Sequence, residues 1–379
     1  MPKRRAGPAP ILVLFLAALV ARPGAQAPAA PPAGAGAPAL VPVWSLTLPA
    51  PPSAQPAFDA HHAFVALQGG QVAAVALDRG AIAWTAAAET TALAAGDGLV
   101  FLAGPDAIEA RVAATGASRW RFTAGTPLAA ALYWEGGWLL AATAQGETVM
   151  LRAADGAELW RQPLGAPPSS GAAMTGDRVY MLADDRVLAR RLADGAPIWE
   201  RRIGGRATAL RALDDRVFVG ADDKFLYCLD AKDGDERWRW RTGGAVAGTP
   251  AVDEDSVYFL ALDNVLRALD RGNGHQRWMR PLGFRPSGGP FALDGLLLVS
   301  TLSPELALFG RDAGAPAGSI RASADPAAPP HLIAGESPGA VAGSLIVLAR
   351  TGVIERLGPP PPPLEAKPVP GLPAYVTLS

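Results

Sequence analysis

The chain has 379 residues, half of them apolar and 18% charged, which is ample material for a large buried core. Its formal net charge of −1 provides no long-range field for nucleic acid or an anionic membrane surface. A single cysteine, Cys228, excludes an internal disulfide, and its alternating strand context reads as a small buried apolar position.

Residues 1–27 have the layout of an export signal. Lys3, Arg4 and Arg5 precede an apolar run over 11–21, and Ala25-Gln26-Ala27 offers a small-x-small cleavage site. That run is too short for a bilayer, which needs about 20 residues. The expectation is a cleaved signal and a periplasmic or secreted protein; retention as an anchor is the alternative. No cysteine follows the cleavage site to carry a lipid. Residues 28–41 read as an Ala/Pro-rich linker, 42–358 as one folded domain, and 359–379 as a proline-rich tail whose PPPPP run favours polyproline II.

Within 42–358 a tryptophan returns at Trp44, Trp84, Trp120, Trp160, Trp199, Trp238 and Trp278, spaced by 40, 36, 40, 39, 39 and 40 residues. A period of this size is that of a four-stranded propeller blade. The clearest unit spans 215–244. A short strand after Asp215-Arg216 turns at Asp222-Asp223-Lys224, a second strand follows over 225–230, and Asp233-Gly234 gives the signal for a tight hairpin before Trp238 on the outgoing strand. A glycine stands four residues before each later tryptophan, at Gly80, Gly116, Gly156, Gly195, Gly234 and Gly274. Turn chemistry should fix the register, and register should place one indole at the same spot in each blade, between neighbouring sheets. Arg79 and Thr115 replace the usual Asp or Asn before Gly80 and Gly116, so other turn geometry is expected there.

Past Trp278 the pattern decays. Gly314 predicts an indole at 318, where the residue is Gly318, and two last strands end at Leu357 with no outer strand after them. The strand around Trp44 has no blade ahead of it and should complete the last one. The fold expected is therefore an all-β, eight-bladed propeller of four antiparallel strands per blade, closed by the N-terminal strand. Seven blades is the alternative if 318–340 is only a loop.

The innermost strands read as small and apolar, and Asp97, Asp177, Asp215 and Asp255 fall in turns, so no converging set of oxygens for a hard cation is seen. His61-His62, His275 and His331 lack metal-ligand spacing, and no Walker, G-x-S-x-G or H-E-x-x-H pattern occurs. No catalytic, metal or cofactor residue is assigned. Arg206 and Arg211, near one blade connection, are the candidate partner-binding residues, because loops on a rigid ring carry recognition. Arg237, Arg239 and Arg241 read as a solvated strand face. Trp134 and Trp138, off the beat, read as padding of an irregular blade, or alternatively as an exposed aromatic surface. A monomer is expected.

The repeat unit resembles that of the quinoprotein, or PQQ-like, β-propellers. LYCLDAKDGDERW at 226–238 and LRALDRGNGHQRW at 266–278 match closely; VLARRLADGAPIW at 187–199 and VMLRAADGAELW at 149–160 match more loosely. With eight blades and an export signal the chain is similar to the BamB branch. That resemblance implies a non-catalytic periplasmic scaffold that docks onto BamA and assists outer-membrane β-barrel assembly. BamB proteins are commonly lipoproteins, a feature this chain lacks. Two alternatives from other classes stand beside it: a quinoprotein-like PQQ-binding enzyme, and an exported sensor or carbohydrate-binding propeller. In the quinoprotein enzymes the cofactor lies on the propeller axis, held by calcium, carboxylates and a stacking Trp, beside a vicinal disulfide that one cysteine cannot make.

Overall fold

In the computed structural model, residues 40–359 are described, except 167, 169, 170, 294 and 334–342. The signal segment (1–27), nearly all of the linker (28–41) and the tail beyond Pro359 lie outside the described residues. Among the described residues every element is a strand, and no helix is long and apolar enough to cross a membrane.

Among the described residues thirty-two strands form eight separate four-stranded antiparallel sheets. Seven blades are continuous in sequence: 57–87, 92–123, 128–163, 173–202, 207–241, 246–281 and 286–321. The eighth is built from both ends of the domain. His331–Ile333, Ser344–Leu348 and Val353–Gly358 supply three strands, and Val41–Thr47 pairs onto the third as its outer strand. The stretch 318–340 therefore contains the end of the seventh blade and the innermost strand of the eighth, so the ring has eight blades, not seven. Its poor patterning has a physical source. Residues 322–330 are a connection tied down by an isolated Pro326–Ala349 bridge and by Ala327 N–H donating to Leu348 O, in place of a long regular strand.

The middle two strands of each blade are buried on both faces, and clusters of Leu, Val, Ile and Ala from adjacent sheets make the core. That continuous burial explains their unbroken apolar runs, such as Phe64-Val65-Ala66-Leu67. Each outer strand then does something periodicity alone does not show. Its register slips by one residue immediately before the tryptophan position, as between Cys228–Trp238 and Leu229–Glu236. The same slip occurs in all eight blades. Such a bulge re-aims the residue beside it.

The bulge sets up a repeated row across three strands. Phe64–Ala74–Trp84, Phe101–Ala110–Trp120, Tyr180–Ala189–Trp199, Phe218–Cys228–Trp238 and Tyr258–Ala268–Trp278 each place a small residue between two rings. The ring centroids lie 5.8 to 6.0 Å apart, in tilted packing. Cys228 holds the position that alanine holds elsewhere. It is fully buried, and burial pushes its thiol up to about 11.

Two expectations about turns need correction. The hairpin before Trp238 is not a two-residue turn: the strands end at Asp230 and resume at Glu236, and Gly234 N–H closes on Asp230 O four residues back. Gly80 and Gly116 make the same closure, onto Ala76 O and Val112 O, with φ of 63° and 72°. Arg79 and Thr115 therefore do not change the turn. The glycine and its backbone bond determine it, and Asp only adds a cap, as Asp233 does for Asp235 N–H.

Candidate interaction faces and axial channel

Antiparallel connectivity gives the ring two unlike faces. One carries the hairpins between first and second and between third and fourth strands (the hairpin face). The other carries the second-to-third turns and the passages to the next blade (the connection face). The innermost strands line the axis.

The seven tryptophans lie away from the axis, on outer strands. Each indole Nε1–H donates to a backbone carbonyl of the next blade: Trp44 to Leu77, Trp84 to Ala113, Trp120 to Ala153, Trp160 to Leu192, Trp199 to Ala231, Trp238 to Arg271 and Trp278 to Arg311, at 2.8 to 3.1 Å. The hairpin glycine of that next blade lies under the ring. A Cβ on Gly80, Gly116, Gly156, Gly195, Gly234, Gly274 or Gly314 would come within 3.0 Å of the preceding blade's indole. Positive φ and this close approach both demand glycine.

The contact also accounts for Gly318. An indole there would need a hairpin between the third and fourth strands of the eighth blade, and the domain's two ends meet at that place instead. That seam is packed by Leu298, Ile320, Leu345 and Leu357, with buried Glu355 accepting from Ser323 N–H at 2.7 Å.

On the hairpin face, arginines bind across blades four to seven. Arg271 of the sixth blade is 2.7 Å from Asp214 of the fifth, and Arg311 of the seventh is 3.2 Å from Asp253 of the sixth. Arg178 donates to Lys232 O and Arg216 to Gly272 O, each in the following blade. The Asp-Arg turn in the sequence was a trace of this network, but its partners are remote in sequence.

Arg206 and Arg211 do not form one patch. Arg206 sits on the connection face, its N–H held by Asp222 and its guanidinium 3.8 Å from that carboxylate. Arg211 lies on the innermost strand Ala207–Leu213, exposed toward the axis near the hairpin face, and makes no ion pair among the described residues. About five residues of extended chain, roughly 16 Å, separate them. Arg211 is within electrostatic reach of Tyr133 on the third blade. Burial raises the Tyr133 phenol above its usual value, Glu135 adds to this, and Arg211 opposes it. Arg237 pairs with Asp230, and Arg239 pairs with Glu236 and lies over the Phe225 ring. Trp134 packs on Gly96 of the second blade, with its Nε1 buried and without a hydrogen-bond partner among the described residues.

The residues along the axis do not fit a quinone cofactor held through calcium. The seven repeat indoles are held between blades, Trp134 of an innermost strand packs on Gly96, the inner strands are mostly Ala, Gly, Leu and Val, and no cluster of three metal-binding side chains occurs among the described residues. His61 and His62 N–H groups are capped by Asp59, and His331 stacks on Phe58 at 3.9 Å across the eighth and first blades. A cavity of about 40 Å3 between the third and fourth blades, lined by Leu132, Tyr133, Leu140, Leu164 and Met181, admits little more than water.

The sequence reading does not single out Leu262 and Leu302. Leu262 and Leu302 occupy equivalent connection-face turns of the sixth and seventh blades and are 59% and 62% exposed. Their 40-residue spacing, equal to the repeat, was the available signal.

A family model described as outer membrane protein assembly factor BamB matches residues 106–212 and 187–320, together more than half of the chain. No curated protein matches the sequence. Among solved structures, BamB from Moraxella catarrhalis superposes with a TM-score of 0.68 at 18% identity, covering 84% of this chain and 99% of that one. Quinohemoprotein alcohol dehydrogenase from Comamonas testosteroni gives 0.66 at 12% identity, covering 84% and 76%. A computationally designed protein, Ika8, gives 0.68 at 13% identity, covering 82% and 97%. At these identities the likeness is one of fold, shared by an assembly factor, an alcohol dehydrogenase and a designed protein alike.

Proposed function

Since this chain belongs to the family described as outer membrane protein assembly factor BamB, we propose that it is a non-catalytic protein-interaction scaffold of the cell envelope. In this reading it serves the assembly of outer-membrane β-barrel proteins, with BamA as the partner and the connection face as the surface of contact. The observation that carries the proposal is the use of the indoles. All seven donate to the backbone of a neighbouring blade, leaving none of them for the axis, while Leu262 and Leu302 offer apolar surface outward. Loops on a ring locked in this way are held rigid enough to recognise a protein without paying much ordering entropy.

Two measurements test this. Tagged protein recovered from envelope extracts should carry BamA, and the double variant Leu262→Asp/Leu302→Asp should lose it while remaining folded. Titration calorimetry with PQQ and calcium should show no binding; tight, stoichiometric binding would overturn the non-catalytic reading in favour of a quinoprotein. Export is tested by the mass of the mature chain from a periplasmic fraction, which should begin after Ala27.

A further inference from the structure

The outermost strand of a blade leaves one row of N–H and C=O groups unpaired, and such edges invite a further strand unless charge or proline blunts them. The ring has eight of these edges. Six carry at least one arginine, from Arg119 and Arg121 on Ser118–Thr123 round to Arg321 on Pro316–Arg321. The eighth blade's edge, Val41–Thr47, is uncharged but carries Pro42, which has no N–H to offer.

The first blade's edge, Ala81–Ala87, reads Ala-Ile-Ala-Trp-Thr-Ala-Ala and has neither charge nor proline. Trp84 turns inward to Ala113 O, whereas Ile82, Ala83, Thr85 and Ala87 are exposed. Beyond the bulge at Ala83, residues 84–87 pair regularly with 71–74, so a straight run of edge follows. Among the described residues no strand is hydrogen-bonded to its outer side.

We infer that Ala81–Ala87 is an acceptor edge at which an extended, uncharged segment of a partner protein adds as a fifth strand. Backbone hydrogen bonds supply the attraction in this mode, and side chains on alternate positions supply selection. The chemistry of the occupant follows from the edge. Small Ala and Thr side chains form a low shelf beside Ile82, with no charged side chain on the strand itself. The six arginine-bearing edges give the contrast within one molecule. A single seven-residue strand buries far less than the roughly 1,000 Å2 expected of a stable contact between folded proteins. The occupant is therefore an extended segment and not a second copy of the ring. The inference does not depend on which envelope protein the connection face holds.

The test uses the full chain and a fluorescein-labelled peptide of seven alternating Val and Thr residues with Gly-Ser flanks, followed by fluorescence anisotropy. Saturable binding is expected, weakened about tenfold or more by Thr85→Lys, which is on the order of 1.4 kcal/mol. Ala87→Lys should do the same. Thr123→Lys on the second blade should leave affinity unchanged, and a peptide of alternating Lys and Glu should not bind. Three results would overturn the inference: no saturable binding by the intact chain, equal affinity in the Thr85→Lys protein, or a dimer of the chain that dissociates on Thr85→Lys. Binding that appears only after removal of residues 374–379, themselves uncharged, would also overturn it, by assigning the edge to the chain's own tail.

Discussion

The contact between Trp238 and Gly274 offers a direct test of how the blades are joined. Trp238 is 9% exposed, packs at 6.0 Å from Phe218 in its own blade, and donates to Arg271 O at 3.1 Å in the next. Trp238→Ala removes all three, and truncating a buried tryptophan costs about 3–5 kcal/mol. Gly274→Ala acts from the other side. Its φ of 74° costs an alanine about 1–2 kcal/mol, and the new Cβ would lie 2.7 Å from the indole, adding an overpacking penalty of about 1–3 kcal/mol. In a Trp238→Ala background the ring is gone, so only the backbone part of the Gly274 penalty should remain. The two substitutions should therefore be non-additive by about 1–3 kcal/mol, the double variant being more stable than the sum of the singles predicts. Guanidinium unfolding of the four proteins, followed by fluorescence and circular dichroism, measures the cycle. If Gly274→Ala costs the same in both backgrounds, the indole does not bear on that glycine and the inter-blade account is wrong.

Gly318→Trp, which restores the repeat on paper, should fail to stabilise the protein, because the eighth blade has no hairpin to receive the ring. A rise of about 1 kcal/mol or more in unfolding free energy would refute this. The thiol of Cys228, raised to about 11 by burial, should be silent to thiol reagents at pH 8 in the native protein and react fully in denaturant. Cys228→Ala should cost under about 1.5 kcal/mol, since alanine fills this position in four other blades. Burial pushes the Asp263 carboxyl upward, but Arg267 and the Gly243 and Val265 N–H groups outweigh this and hold it below its usual value. A carboxyl depressed in the folded state lends stability above its unfolded value, near 3.9, and loses it as pH falls through the folded value. Asp263→Asn should therefore lower the urea midpoint at pH 7 and flatten its decline below about pH 4.

The sequence by itself determined the class of fold, the length of the repeat and the closure of the ring. Those features are written in local chemistry: a glycine that must take positive φ in each hairpin, a middle pair of strands apolar on both faces, and an unpaired strand at each end of the domain. It also determined that Trp and Gly recur together, but not which ring each glycine meets. Gly274 stands four residues before Trp278, yet it lies under Trp238, thirty-six residues earlier and one blade away. Only the tertiary structure could decide this, because strand order within a blade and rotation to the next bring together residues that no turn links. The pairing of Arg271 with Asp214 has the same origin. Periodicity records that a position repeats, and packing between repeats settles what that position touches.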